Sequence, residues 1–328
     1  MLLLTVFIIA VALLFDFLNG MNDAANSIAT VVSTRVLSPK MAVLWAALFN
    51  FVAAFGFGVA VAKTIGKGII DPEIVSPQVI LAALVSAVIW THICTRYGVP
   101  ISVSHALIGG LAGAGVVKAG FAALNVVGIT KVSLFIFLAP IIGLVASFFL
   151  MILVTWIFRR SSGREVDRLF RFGQLLSSAA YSLGHGTNDA QKTMGIITVL
   201  LYSGGYLKEF EVPMWVILAA HTAIGLGTYT GGWKVIRTMG VKLTHLKPVG
   251  GFCAETAGAM VLFGTAMAGI PVSTTHTIAG SIMGVGSTRR ISAVRWGIAG
   301  RIVIAWVVTI PIASLLAALI FELLNPLF

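Results

Sequence analysis

Long apolar stretches separated by short polar connections run through the whole chain. In the first half they cover roughly residues 2–33, 41–62, 79–95, 100–117 and 133–157, and in the second half roughly 175–203, 213–232, 250–268, 271–288 and 302–325. About 20 apolar residues suffice for a helix to cross the hydrocarbon core of a bilayer. The pattern therefore predicts an all-α polytopic membrane protein, which is better described by its spans than by soluble domains.

A run of arginines between residues 159 and 174 divides the chain into two halves. Basic residues favour the cytoplasmic side of a membrane. We predict a first transmembrane repeat over residues 1–158, a basic cytoplasmic connector over 159–174 and a second repeat over 175–328. Because each half has an odd number of stretches, the second half should enter the membrane from the opposite side. This predicts two inverted-topology repeats, with both termini outside the cytoplasm.

Two motifs occur once in each half and in the same order. Residues 20–24 (GMNDA) recur as 186–190 (GTNDA), and residues 100–105 (PISVSH) recur as 271–276 (PVSTTH). Many secondary transporters consist of inverted repeats whose broken helices form the binding site at the repeat interface. A proline followed by hydroxyl side chains suits such a break, provided that the irregular backbone is buried in protein. The motifs therefore predict broken or re-entrant helices that meet at one shared site near the middle of the membrane.

Composition and charge exclude several other classes of protein. Of the 328 residues, 58% are hydrophobic and 10% are charged, whereas soluble domains carry about 25% charged residues. The net charge of +11 comes from Lys and Arg that lie mostly between the apolar stretches, which fits membrane orientation rather than nucleic-acid binding. Cys94 and Cys253 lack the spacing of a metal site or a disulfide framework. We expect no cofactor and no transition metal.

Acidic and amide side chains inside the apolar stretches are candidates for a cation site. An ionised carboxylate at the bilayer centre costs at least about 2.5 kcal/mol, so such residues are usually functional. On a helix, Asn22 and Asn26 share one face with Asp23 beside them. Hard cations such as Na⁺ prefer these oxygen ligands. The second copy carries Gln191 and Lys192 at the end of the motif, where Lys192 could pair with an acid or face an anion, so the halves should differ chemically.

Hydroxyl side chains follow the proline in both halves. They are Ser102 and Ser104 in the first half and Ser273, Thr274 and Thr275 in the second. A helix that begins behind them would add free backbone N–H groups and a positive dipole end, which favour an anion. A single hydroxyl in a membrane helix often binds only a carbonyl one turn back. Clusters after a proline in both repeats instead indicate an anion site beside the cation site.

Two other classes of protein fit these residues less well. Asp23, Ser104 and His105 are the components of a catalytic triad, but adjacent Ser and His side chains rarely face one another. No nucleophile elbow or zinc-protease motif occurs in the sequence. A purely structural helix bundle would not need paired acids inside the membrane. The residues alone indicate transport of an anion coupled to a cation, and they leave sulfate, or a cation alone, open as the cargo.

Over nearly its whole length the chain resembles the PiT family of inorganic phosphate transporters. The matching segments are residues 14–26 (LFDFLNGMNDAAN), 185–190 (HGTNDA), 235–240 (VIRTMG) and 271–276 (PVSTTH). The resemblance implies a phosphate symporter of the cell membrane, coupled to Na⁺ by alternating access. In some bacterial members the resemblance implies coupling to H⁺ or transport of metal–phosphate complexes, and a homodimer follows only by family analogy. Sulfate or another oxyanion is the alternative cargo that the residues leave open. Asn50 stands where animal relatives have a second glutamate, so a symmetric glutamate pair is not expected.

Carried over by position, the resemblance also implies the ligands. The phosphate ligands would be Asn22, Asp23, Ser102, Ser104, Asn188, Asp189, Ser273, Thr274 and Thr275. The Na⁺ ligands would be Asp23, Asn26, Ser104, Asp189, Glu255 and Thr275, among which Glu255 matches an acid linked to phosphate transport in animal relatives. Further candidates are His185, Gln191 and Lys192.

Overall fold

The computed structural model describes residues 2–70 and 74–325, which fold almost entirely into α-helices. In the first half these are α1 (Leu2–Ser33), α2 (Pro39–Val52), α3 (Ala60–Gly68), α4 (Pro77–Tyr97), α5 (Val103–Ala119) and α6 (Val126–Ile157). In the second half they are α7 (Gly163–Ser203), α8 (Met214–Thr230), α9 (Trp233–Arg237), α10 (Pro248–Met267), α11 (Thr274–Ser287) and α12 (Trp296–Leu324). Within the described ranges the only β-pairing is an isolated bridge between Ile70 and Leu124. The predicted all-α fold class is confirmed.

Local sequence signals set several helix ends. The side chains of Ser38 and Ser76 cap α2 and α4, and each is followed by a proline at the first helical position. Gly98 ends α4 with a φ of +73°, a conformation that glycine adopts without strain. Ser162 and Glu165 form a capping box at the start of α7. The predicted basic connector is therefore helical from Gly163 onward.

Five of the described helices, namely α1, α4, α6, α10 and α12, are long and apolar enough to cross a membrane. The predicted stretch 41–62 is not one straight span, because its helical segments Pro39–Phe55 and Ala60–Gly66 meet at an angle of 84° and together form a sixth candidate. The short helices α5 and α11 begin directly after the two proline motifs, as the predicted breaks require. The polytopic membrane character is confirmed, whereas the number of crossings in each half stays a prediction.

One short helix of each half packs against a helix of the other half. Helix α5 of the first half packs on α12, and α11 of the second half packs on α6. A Cβ atom on Gly113 would lie 2.1 Å from the Ser314 carbonyl oxygen, and one on Gly284 would lie 2.2 Å from the Leu144 carbonyl oxygen. These glycines occupy matching places in the repeat, and they let the helix backbones touch. Each short helix is therefore held by the last helix of the opposite half.

Helices α1 and α7 carry the two Asn-Asp motifs into the interior. Residues 22–31 of α1 and 184–201 of α7 are buried without interruption. A helix segment buried on every face is surrounded by other helices, and here α1 and α7 contact each other and the start of α11. The fold thus brings both motifs to one interior region.

Candidate functional site

The two aspartates of the repeated motif meet at the first turn of α11. Thr274 Oγ1 lies 3.3 Å from Asp23 Oδ2 and 3.1 Å from Asp189 Oδ2. Thr275 donates to Asp23 Oδ1 at 3.2 Å. Both carboxylates are buried, with at most 3% of either residue exposed. The site is therefore built by both repeats around one pair of hydroxyl groups.

Lys192 is the principal charge partner of Asp189. Its ammonium donates to Asp189 Oδ1 and to Ser104 Oγ, and it donates to the Val272 carbonyl at 3.0 Å. The side chain is 1% exposed. A buried lysine is tolerated only when its charge is paired and its hydrogen bonds are made. Of the two roles predicted for Lys192, the structure shows the pairing with an acid.

His185 links the same aspartate to α2. His185 Nε2 lies 3.2 Å from Asp189 Oδ2, and His185 Nδ1 lies 3.0 Å from Asn50 Oδ1. Asn50 presents its oxygen to the ring because its amide nitrogen donates to Thr228 Oγ1, whose own proton goes to backbone carbonyls. One ligand atom from each of Asp23, His185 and Asp189 lies within 4.8 Å of the others. The cluster can thus hold a cation or share a proton.

The orientation of Asn22 and Asn188 is fixed by the groups around them. Asn22 donates its amide nitrogen to Thr95 Oγ1 at 2.7 Å, and this hydroxyl gives its own proton to the Thr91 carbonyl. Asn188 donates to the Leu262 carbonyl at 2.8 Å. Both Oδ1 atoms are buried and have no hydrogen-bond partner among the described residues. A free amide oxygen suits a cation, so this geometry favours a cation contact over the predicted phosphate contact at both positions.

Asn26 completes the set on α1. Its amide nitrogen donates to Thr275 Oγ1 at 2.9 Å and to Thr274 Oγ1 at 3.2 Å. Its Oδ1 is buried, and nothing in residues 2–70 and 74–325 donates to it. Asp23 and Asn26 thus bind the same pair of hydroxyls, as expected of residues one helical turn apart. Both residues belong to the larger ligand set that the sequence predicts for Na⁺, which stays a prediction.

Ser102 and Ser273 have a different role from the other hydroxyls. They are the N-cap residues of α5 and α11, and each accepts the backbone N–H of His105 or His276 at 3.3 Å. The two imidazole rings pack edge to face at 4.7 Å, and His276 also stacks on Trp306. The contacts of these two serines define the helix starts, while Ser104, Thr274 and Thr275 remain the hydroxyls directed at the charged groups.

Glu255 does not join the aspartates. One oxygen of its carboxylate accepts from Thr30 at 2.5 Å and from Gln174 at 3.0 Å, and the other accepts from Ser177 at 2.5 Å. These donors come from α1 and from the first part of α7. The carboxylate therefore fastens α10 to both motif helices. Its contacts do not support the predicted role as a cation ligand.

Gln191 also points away from the acids. Its Oε1 atom accepts the backbone N–H groups of Val61 and Ala62 at 2.8 and 3.2 Å, at the start of α3. The side chain lines a cavity of about 210 Å³, together with the break between α2 and α3, Thr187 and His221. Gln191 therefore connects the bend after α2 to the motif helix of the second half.

Several groups that orient the site could not be anticipated from local sequence patterns. Thr95 and the Leu262 carbonyl belong to no motif, and the family resemblance marks Asn50 only as the position of a second glutamate in animal relatives. All three reach the site through packing of distant helices. The Val272 carbonyl is different because it lies inside the second proline motif, next to the cap of α11. Its position inside a repeated motif is the sequence signal that could have pointed to the Val272 carbonyl.

The site is a buried cluster of acids, amides and hydroxyls to which both repeats contribute. It lies within a bundle of membrane-spanning helices that contains broken segments. This combination is characteristic of a secondary transporter. The comparison with known proteins also identifies a transporter. A family model described as "Phosphate transporter family" matches residues 19–163 and again 158–317. The chain belongs to the phosphate transporter family.

Individual relatives agree along their full length. The chain is 58% identical to a probable low-affinity inorganic phosphate transporter of Rhizobium meliloti, over 97% of this chain and 96% of the relative. It is 46% identical to a protein of the same description from Bacillus subtilis, over 100% and 99%. A solved structure described as "The sodium-dependent phosphate transporter" matches with a TM-score of 0.91 at 26% identity, covering 99% of this chain and 100% of that one. The predicted family and the predicted phosphate cargo are confirmed.

Proposed function

We propose that this protein carries phosphate together with Na⁺, and that both ions bind where α1 and α7 meet the starts of α5 and α11. The observation that carries the proposal is the arrangement around Asp23. Its carboxylate lies beside hydroxyls that Asn26 also contacts, and the Oδ1 atom of Asn26 is buried with no donor in the described chain. Oxygen-only sites of this kind suit a hard cation. The sodium dependence stated in the name of the matched solved structure supports Na⁺ as that cation.

The phosphate would bind to the donors at the same place. Ser104, Thr274 and Thr275 supply hydroxyl groups, and α5 and α11 both begin here. The first N–H groups of a helix have no partner within the helix and favour an anion. Lys192 adds a positive charge nearby, while its three N–H groups bind Asp189, Ser104 and Val272. The hydroxyls and the helix N–H groups provide the phosphate contacts in this proposal.

Charge balance supports a co-transported cation. With both carboxyl groups ionised, Asp23 and Asp189 bring two negative charges and Lys192 brings one positive charge, so one negative charge remains before phosphate arrives. Two like unit charges about 4 Å apart repel by about 4 kcal/mol at an effective dielectric constant of 20. A cation bound at Asp23 would cancel this repulsion and so stabilise the closed site with phosphate bound. Phosphate and cation should therefore bind cooperatively.

Proton coupling is the second candidate, and His185 is the observation that favours it. Because Asn50 presents an oxygen to Nδ1, that ring nitrogen carries the proton. The Nε2 atom then faces Asp189 Oδ2 at 3.2 Å, which is a good hydrogen bond only if the ring or the carboxyl group holds an additional proton. A proton could therefore bind between His185 and Asp189 during transport.

We place the protein in the cell membrane with its two repeats inverted and both termini outside, and we infer that the halves rearrange around the site in alternating access. The basic segment from the end of α6 into the first turns of α7 supports this orientation, since it gathers Arg159, Arg164, Arg168 and Arg171 near Lys247. The exchange of α5 and α11 between the halves would let each short helix move with the opposite repeat.

Uptake of radiolabelled phosphate into proteoliposomes tests the proposal. An inward Na⁺ gradient at equal pH on both sides should drive accumulation, and replacement of Na⁺ by choline should remove it. Uptake driven by a proton gradient with no response to Na⁺ would overturn the sodium assignment in favour of the His185 site. Stimulation by Mg²⁺ in place of Na⁺ would indicate a metal–phosphate complex. Sulfate should compete weakly with phosphate.

A further inference from the structure

The two repeats place different groups at one equivalent position in the site. Asn26 follows Asp23 by one helical turn on α1, and Lys192 follows Asp189 by one helical turn on α7. Each of these residues contacts a hydroxyl of the opposite half. Asn26 donates to Thr275, and Lys192 donates to Ser104, which is the matching residue of the first proline motif. The two subsites are therefore equivalent in position but not in charge.

The ammonium group of Lys192 has the surroundings of a bound cation. It contacts a carboxylate, a hydroxyl and a backbone carbonyl, which come from α7, from α5 and from the residue before the cap of α11. All three ligands are oxygen atoms, and the group is buried. A hard monovalent cation would choose a shell of the same kind. In the other subsite the carboxylate and the hydroxyl recur, but the residue one turn on is a neutral amide.

We propose that Lys192 is a tethered cation that permanently occupies one of two equivalent cation subsites, so that this chain binds one mobile cation fewer than a site with asparagine at both positions. The proposal rests on the cation coupling proposed above and specifies its stoichiometry. It makes Asp23 and Asn26 the subsite for the mobile ion. It also explains why two buried acids need only one co-transported charge for balance.

Substitution of Lys192 distinguishes a phosphate-binding role from occupation of a cation subsite. If its main task were to bind phosphate, Lys192→Asn would weaken phosphate binding and would create no cation site. If Lys192 occupies a cation position, the same change restores the asparagine of the other repeat and frees the Asp189 carboxylate and the Ser104 hydroxyl for Na⁺. The reverse change, Asn26→Lys, should place an ammonium in the mobile-ion subsite.

Equilibrium binding of ²²Na⁺ to the full chain in nanodiscs, without phosphate, separates these cases. Lys192→Asn should bind one more Na⁺ per chain than the wild type, Asn26→Lys should bind one fewer, and Lys192→Arg, which keeps the charge, should gain no ion. A folded Lys192→Asn chain with no additional ion would overturn the proposal. If that variant does not fold, Asn26→Lys decides, and an unchanged number of bound ions would overturn the proposal.

The same measurement distinguishes failure of this inference from failure of the proposed function. A wild-type chain that binds no Na⁺ refutes sodium coupling, yet a Lys192→Asn chain that then binds one ion still supports the tethered cation. Initial rates of phosphate uptake add a second readout. The Hill coefficient for Na⁺ should rise by about one in Lys192→Asn, and a coefficient equal to that of the wild type would count against the proposal.

Discussion

Asp23→Asn and Asp189→Asn change equivalent residues of the two repeats, yet their effects on stability should differ. Both substitutions keep the shape of the side chain and remove its charge. Asp189 is paired with the buried ammonium of Lys192, whereas Asp23 accepts hydrogen bonds from the neutral hydroxyls of Thr274 and Thr275 and lies beside the Asp189 carboxylate. The group that each aspartate leaves without its charged partner sets how much the free energy of unfolding falls.

In Asp189→Asn the ammonium of Lys192 stays buried without its counter-charge. Breaking a buried ion pair from one side costs about 3–5 kcal/mol. In Asp23→Asn the amide oxygen can keep Thr275, and Thr274 can keep its bond to Asp189. The loss of unfolding free energy should therefore stay near the value of one ordinary hydrogen bond, about 0.5–1.5 kcal/mol. Removal of a carboxylate about 4 Å from a bound cation costs about 4 kcal/mol of attraction, or roughly a thousandfold in cation affinity. Coupled uptake should therefore be lost when the mobile-ion carboxylate is neutralised.

The assay compares thermal unfolding of the purified chains in nanodiscs with phosphate uptake per folded molecule. Asp23→Asn should melt close to the wild type and be inactive, and Asp189→Asn should melt far lower. The double variant Asp189→Asn/Lys192→Met removes both charges, so it should recover most of the stability without recovering normal transport. Equal melting temperatures for the two single variants would refute the assignment of Lys192 as the charge partner of Asp189.

Three further predictions concern other parts of the molecule. Glu255→Gln should lower the free energy of unfolding by about 1.5–3 kcal/mol, because an amide nitrogen would face donors that now bind a carboxylate; unchanged thermal stability would mean that the group is already a protonated acid. Gly280→Ala should reduce the yield of folded protein, since its Cβ would lie 2.1 Å from the Pro140 carbonyl oxygen, whereas Gly297→Ala, which meets no atom within 4 Å, should express normally. Hydrogen bonds from the side chain and backbone of Ser162 lower the pKa of Glu165, so protection of the first turn of α7 in hydrogen exchange should fall as the pH drops through the lowered pKa. The loss should shrink in a Ser162→Ala chain, which keeps only the backbone donor, and protection that rises on acidification would contradict the capping role.

Local patterns in the sequence were sufficient to predict the motif helices and the breaks. Proline followed by hydroxyls correctly predicted the starts of α5 and α11, because a proline and an N-cap residue act within one turn. The bend after α2 was not predicted, since residues 41–62 have a continuous apolar composition that also fits a straight span. Its cause is the irregular segment 56–59, in which Gly58 has a φ of +68°, and the fastening of α3 to Gln191 by tertiary contact.

The chemistry of individual ligands was less predictable than their location. Asn22 and Asn188 belonged to the predicted site, but which of their atoms faces a ligand depends on Thr95 and on the Leu262 carbonyl. The position of Glu255 in an apolar stretch led to its prediction as a cation ligand. In the structure its carboxylate instead accepts hydrogen bonds from side chains of two other helices. Such assignments follow from side-chain packing between segments far apart in sequence, which periodicity and local motifs do not encode.

The unequal charges of the two subsites also bear on how closure of the site is coupled to cation binding. Lys192 connects α7 to Ser104 at the start of α5 and to Val272 before α11, so its bond to Ser104 crosses the boundary between the repeats. No mobile ion is needed to keep these contacts. At Asp23 the corresponding contacts are hydroxyl bonds of 3.2 and 3.3 Å, which an arriving cation can replace with its own ligand bonds. One half of the site would thus stay closed by a built-in charge, while the other closes only when a cation has bound, which couples closure around phosphate to the presence of that ion.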